Sequence, residues 1–299
     1  MGSRQDALGG SAMYFALSSS FFAPVGVVAI IGEDFRKADL AIFQAHHVDI
    51  SGLVQAQGQT FRWSGRYSTE DGKERETLAT HLNVFAEFRP SLTESHQQTP
   101  YVFLANIDPE LQLNVLRQMK SRPKLVALDT MNFWIEGKHD ALIKVASQVD
   151  VLFMDEGEIR QFTEETNLVK AAHKVLSLGV KVVVVKRGEH GVMLVQNDGL
   201  FVLPAYPLKR VVDPTGAGDT FAGGFMSYLA STGDLSQTGF RRAAMVGSVM
   251  GSFVVEAFSV DQIQNLTRKD IESRFRQFSE ICRVPPLGES ESLPWRVFN

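Results

Sequence analysis

Cysteine is almost missing. The single thiol among 299 residues, Cys282, excludes an internal disulfide and a paired-cysteine zinc site, and it fits a reducing compartment. Long apolar runs are missing too. The longest near the start, Phe21 to Ile31, is broken by Pro24 and Gly26 and is too short to cross a bilayer. No basic-then-apolar leader precedes it. Neither sign of charge dominates: the net of -4 gives no reason to expect nucleic acid or an anionic membrane as partner. There is no Gly-x-x-x-x-Gly-Lys-Ser/Thr loop of a Walker-type nucleotide hydrolase and no Gly-x-Ser-x-Gly elbow of a serine hydrolase. Internal repeats and low-complexity segments are absent as well. What remains reads as a cytoplasmic, soluble, globular chain.

The chain has ordinary globular content, with 44% apolar and 21% charged residues, and is long enough for one large domain or two small ones, a single domain over 1–299 being the expectation. A helix over Ser11–Phe22 precedes a buried strand over Val25–Ile31. From Tyr101 on, strands and helices alternate. Apolar runs at 101–104, 124–128, 151–154 and 180–185 are separated by helical stretches, one of which opens on Pro109. A hairpin around Asn197-Asp198-Gly199 joins runs at 192–195 and 200–203, and helices near 219–231, 236–255 and 268–281 close the chain. This rhythm predicts an α/β fold, a mostly parallel central sheet with helices on both faces. The stretch at about 50–88 differs in texture. Thr60–Tyr67 alternates with period two, placing Phe61, Trp63 and Tyr67 on one face; Asp71-Gly72 is a turn signal and Thr77–Phe85 a returning strand. It reads as a small antiparallel β lid whose aromatic face either covers core or contacts a ligand. The tail from Val284 reads as a loose extension.

The densest chemistry lies in Val211–Phe225, which runs through Asp213-Pro214-Thr215-Gly216-Ala217-Gly218-Asp219 into a helix. Amides at a helix start lack intrahelical partners and form an anion site, and glycine lets the backbone approach a ligand. A carboxylate beside that site suits a general base, although an acid in a first helical turn is also simply favoured by the dipole. The same two readings apply to Asp155-Glu156-Gly157-Glu158: acids at a helix start, or carboxylates ordering water around Mg²⁺. Lys186-Arg187-Gly188-Glu189-His190-Gly191 is either a tight connection or a bend that lets a nucleotide lie on backbone, with Lys186 or Arg187 at phosphate. Asn132 is a candidate for phosphate or sugar, and Gly9-Gly10-Ser11 for a polyol. Asn106, Asp129, Asp155, Lys186 and Asp213 all fall at predicted carboxyl ends of strands, where ligands of such sheets bind.

The run Asp213–Gly224, DPTGAGDTFAGG, resembles the C-terminal signature of the ribokinase-like (PfkB) carbohydrate kinases. Gly9-Gly10, Gly32-Glu33-Asp34-Phe35, Asp155–Glu158 and Lys186–Gly191 follow in that family's order and spacing. The resemblance implies a three-layer sandwich with a β lid, and transfer of the γ-phosphoryl of ATP to a hydroxyl of a sugar or related polyol. A nucleoside of the adenosine or inosine type is the alternative acceptor, and a non-catalytic nucleotide or sugar binder the alternative class. It implies Asp219 as general base and the Gly216, Ala217 and Gly218 backbone as anion hole. Asp155 and Glu158 would position Mg²⁺ through water, and Asp213 and Thr215 would hold a monovalent cation such as K⁺. Nucleotide would lie on Lys186, Gly188, Gly191 and Thr215. Substrate would lie on Gly9, Gly10, Ser11, Tyr14, Phe61, Trp63 and Asn106 with Asp219, and the lids of two copies could pair in a homodimer. Three departures stand out. The family's first strand, ending in a substrate-binding Asp, is expected to be missing upstream of Gly9; Tyr14 stands where the family often has Asn; and Asp155 replaces an Asn, adding negative charge near phosphate.

Overall fold

A computed structural model describes residues 2–67, 75–286, 288 and 293. The chain opens with α1 (Ser11–Ser20), β1 (Gly26–Gly32), α2 (Lys37–Ala45) and β2 (Asp49–Ala56), followed by β3 (Arg62–Tyr67) and β4 (Arg75–His81). Alternation then begins with β5 (Tyr101–Leu104), α3 (Pro109–Gln118), β6 (Leu125–Asp129), α4 (Asn132–Gly137), α5 (His139–Ala146), β7 (Val151–Asp155), α6 (Glu156–Thr163), α7 (Leu168–Leu176) and β8 (Val182–Lys186). The chain continues with β9 (Val192–Gln196), β10 (Gly199–Leu203), α8 (Ala217–Thr232), α9 (Gln237–Val254) and α10 (Arg268–Ile281).

The main sheet has the order β10-β9-β8-β7-β6-β5, parallel from β5 to β8 and antiparallel at β9 and β10. Its central strands are apolar almost end to end because both faces are covered. Successive side chains then serve opposite cores. Val182 and Val184 join Phe153, Leu17, Phe225 and Phe240 beneath α1, α8 and α9. Val183 and Val185 join Leu152, Met154, Leu142, Ile159 and Val175 beneath α5, α6 and α7. The expected three-layer α/β architecture follows. Helix starts are fixed locally: Asp108 caps α3 ahead of Pro109, and Asp155 and Glu158 form a reciprocal capping box on α6.

Several elements differ from expectation. The segment from Asp49 first forms β2, which pairs in parallel with β1 as a separate two-stranded sheet, so only β3 and β4 form the antiparallel hairpin. The returning strand ends at His81 rather than Phe85. Asn83 adopts a left-handed φ of 49°, its amide donates to the Thr60 carbonyl at 2.9 Å, and residues 83–87 close into a 3-10 turn. Asp71-Gly72 lies outside the described residues, as does most of the tail beyond Pro286. Val211-Val212 forms no strand, so Asp213 is not at a strand end. The amides of Val212 and Asp213 both donate to the Val255 carbonyl, at 2.7 and 3.3 Å, and the end of α9 holds this segment in place of a sheet. Among the described residues, 2–10 carry no strand.

Candidate active site

The site is built around the start of α8. Gly216 caps the helix with φ 78°, and a Cβ there would sit 2.4 Å from the Tyr14 ring, so both backbone and space require glycine. The Ala217 N–H turns back to the Pro214 carbonyl at 3.2 Å, so that amide is shared with the turn. Gly218 and Asp219 complete the first turn. α1 is clamped onto this helix: Ser18 Oγ donates to the Thr220 carbonyl at 2.7 Å and Ser19 Oγ to the Gly223 carbonyl at 3.1 Å. A Cβ on Gly223 would lie 2.5 Å from the Phe15 carbonyl oxygen, which explains the second glycine cluster of the motif as a close helix crossing.

That crossing places Tyr14 under the turn. It is buried, flanked by Gly216 and by Gly9 of the Gly9-Gly10-Ser11 entry to α1. Burial first, and then the negative fields of Asp213 and Asp219, hold its phenol far above the ordinary value, so it stays neutral. The hairpin reaches the same turn: Tyr67 Oη and Thr215 Oγ1 are hydrogen-bonded at 3.0 Å. Thr215 also donates its N–H to Asp213 Oδ1 at 2.9 Å, a local turn that gathers the two residues expected at a monovalent cation.

The strand ends contribute the second half. In register, Asp155 of β7 lies beside Lys186 of β8. The Asp155 and Glu158 carboxylates each accept one backbone N–H, at 2.7 Å in both directions. Each thus keeps a second oxygen for water. No group of three or more His, Cys, Asp or Glu in metal-holding geometry occurs among the described residues. An all-oxygen pair with backbone-anchored carboxylates fits a hydrated hard cation, not a dehydrated one. Glu158 is 5% exposed, and burial, with Asp155 and Asp129 adding to it and Lys186 opposing, pushes its carboxyl up to about 7. Lys186 Nζ donates to Asp129 Oδ1 at 2.8 Å. Burial works against its charge, but Asp129, Glu158 and Asp219 outweigh that and hold its pKa above the ordinary lysine value.

Other predicted residues also carry structural contacts. Asn106 Oδ1 accepts the Trp134 indole N–H at 3.0 Å, and Asn132 donates to Gln161 at 2.8 Å. Phe61 packs edge-on against Phe85, while Trp63 folds over Gly65 and donates its indole N–H to Thr77 at 3.2 Å. Arg187 pairs with Glu156 at 2.6 Å. Gly188 and Gly191 flank a 3-10 turn, both with positive φ, and a Cβ on Gly191 would collide with the Leu203 carbonyl. Two residues of the cluster were given no individual role from sequence: Asp129, placed only among the strand ends, and Tyr67, placed only on the hairpin's aromatic face. Asp129 had a signal: two buried apolar runs, Leu125–Leu128 and Val182–Val185, end in opposite charges, and charges at buried strand ends need one another. Tyr67 had a weaker one, its place on the aromatic face of the hairpin.

The chain is similar to known kinases over most of its length. The family model described as pfkB family carbohydrate kinase matches residues 3–265. A cytidine kinase of Thermococcus kodakarensis is 32% identical over 226 residues, 73% of this chain and 79% of that protein. Among solved structures, the nucleoside kinase of Methanocaldococcus jannaschii, described as an archaeal member of the ribokinase family, superposes with TM-score 0.73 at 20% identity, over 93% of this chain and 89% of that one. A putative ribokinase II from E. coli, in complex with ATP and Mg²⁺, gives TM-score 0.75 at 20% identity over 93% and 92%. With a glycine-rich helix start, an acid in its first turn and a match over nearly its whole length, this chain belongs to the pfkB family of carbohydrate kinases.

Proposed function

We propose that this kinase transfers the γ-phosphoryl group of ATP to a hydroxyl of a nucleoside, with a free sugar as the second reading. The observation that carries the transfer is the start of α8, where Asp219 stands in the first turn beside the Gly216–Gly218 backbone and the Lys186 ammonium. The acceptor oxygen bonds to the γ-phosphorus as the bridging P–O bond to ADP breaks, and the hydroxyl proton passes to the Asp219 carboxylate. Helix-start amides hold the developing negative charge, and alignment does most of the remaining work. When bound, Mg²⁺ neutralises phosphate charge; Asp155 and Glu158 would hold its water shell. Asp213 and Thr215 would take a monovalent cation. The nucleoside reading is supported by the names of the relatives, a cytidine kinase and a nucleoside kinase, and by the aromatic face of the hairpin, since a base offers a π-face to stack on.

The test is a panel of nucleosides and sugars with MgATP, read as ADP release. A nucleoside should give the highest kcat/KM. A sugar turning over fastest would replace the acceptor, and nucleotide binding without turnover by any compound would favour a non-catalytic binder. Asp219→Asn should lower kcat by about 10²–10⁴-fold while nucleotide affinity holds. Equal turnover in variant and parent would remove Asp219 as the base.

A further inference from the structure

Lys186 and Asp129 end neighbouring parts of the parallel sheet, β8 and β6, with β7 between them. Their side chains meet across the end of β7 at 2.8 Å, with 20% of the lysine side chain and 6% of the aspartate side chain exposed. The lysine then runs up to the α8 helix start. The atoms nearest to a Cβ built on Gly218 would be Nζ, Cδ and Cε of Lys186, at 3.3, 3.6 and 3.9 Å. Gly218 has no positive φ, so backbone conformation does not demand a glycine there. A methyl group there would press on the lysine's ammonium, which would have to give by a few tenths of an ångström.

We infer that Asp129 is a positioning residue of the phosphate site. Its carboxylate holds the Lys186 ammonium against Gly218, so the phosphate oxygens meet a fixed cation beside the helix-start amides. A long lysine stem has many rotamers, and a strand-end carboxylate anchored in the sheet selects one of them. Glu158 and Asp219 flank the same ammonium electrostatically, and without Asp129 they compete for it. The inference deepens the kinase reading and rests on it for the identity of the anion.

Four proteins test it: parent, Asp129→Asn, Lys186→Met and the double variant, with kcat and KM for MgATP, ADP affinity by calorimetry and a melting curve for each. Lys186→Met should lose about a hundredfold in kcat/KM, and Asp129→Asn about tenfold, mostly in kcat. The double variant should match Lys186→Met within about twofold, because the aspartate acts through the lysine. Parent-like kinetics in Asp129→Asn, or losses that multiply in the double variant, would overturn the assignment. Should Asp129→Asn fail to fold, Gly218→Ala asks the same question by pressing a methyl group onto Nζ. Its loss should disappear in the Lys186→Met background, and an equal loss in both backgrounds would overturn the inference. If the parent transfers phosphoryl to no acceptor, the proposed function fails separately. The positioning role is then read from binding: ADP should bind at least about tenfold tighter than adenosine in the parent, an advantage that shrinks by about two- to threefold in Asp129→Asn. An undiminished advantage there would overturn it.

Discussion

Burial, aided by Asp155 and Asp129 and opposed by Lys186, holds the Glu158 carboxyl at about 7 against an ordinary 4.5. Between those values the folded chain keeps a proton that the unfolded chain has released. Stability from this group therefore falls as pH rises from 4.5 to about 7 and levels off above. Glu158→Gln can still serve as the third residue of a capping box but does not titrate. It should match the parent near pH 4 and exceed it by about 1–3 kcal/mol near pH 8, read from denaturant midpoints at the two pH values. A variant that keeps the parent's pH slope would place that slope elsewhere. The same residue also illustrates why an acid at a helix start is ambiguous in sequence. Glu158 caps α6 and lies in the field of Lys186 and Asp129 at once, so the local reading does not exclude the functional one.

At the scale of elements, the site depends on two contacts between pieces that are far apart in the chain. One joins α1 to α8 through Gly223. Gly223→Ala would force its methyl group into the Phe15 carbonyl, and the helices must move apart or the turn under Tyr14 must shift. A destabilisation of about 1–3 kcal/mol is expected, measured by chemical denaturation; an unchanged midpoint would show that the crossing yields without strain. The other joins the hairpin to the helix start through Tyr67 and Thr215. Tyr67→Phe removes one hydrogen bond and keeps the ring. KM for the acceptor should rise by about 2–10-fold with the melting temperature almost unchanged. An unaltered KM would mean that the hairpin closes without this contact.

At the scale of the whole molecule, both halves of the site sit at one end of the six-stranded sheet, so a ligand that touches both should stabilise the fold. At about 100 times its Kd, MgATP should add about 2.7 kcal/mol, seen as a rise in melting temperature that is absent with magnesium alone. The hairpin stands apart from the main sheet as two strands with exposed Phe61, Leu78 and Leu82 near its edge. Edges of this kind pair readily, and a homodimer through the hairpin is the expected assembly. Light scattering at the monomer mass across micromolar concentrations would remove it.

Local pattern determined much of this protein. The apolar runs that became β5 to β10, the caps of α3 and α6, and the DPTGAGDTFAGG helix start were legible because each depends on residues within a few positions of one another. The family match covers residues 3–265, that helix start included. Tertiary structure decided the rest. Val211-Val212 had a strand-like composition, but the end of α9 took its hydrogen bonds. Phe85 continued the hairpin's alternation, but Asn83 turned the chain. Asn106, expected at a ligand, accepts the indole N–H of Trp134, a contact 28 positions away that no local pattern announces. Asp129 and Lys186 are 57 positions apart, and Tyr67 and Thr215 are 148 apart. No periodicity or spacing rule spans such distances, because what pairs those groups is the order of strands in the sheet and the crossing of α1 over α8. The sequence by itself marked the glycine-rich helix start; only the packed molecule shows that Lys186 stands beside it and that Asp129 pairs with that lysine, because both contacts depend on the order of strands in the sheet.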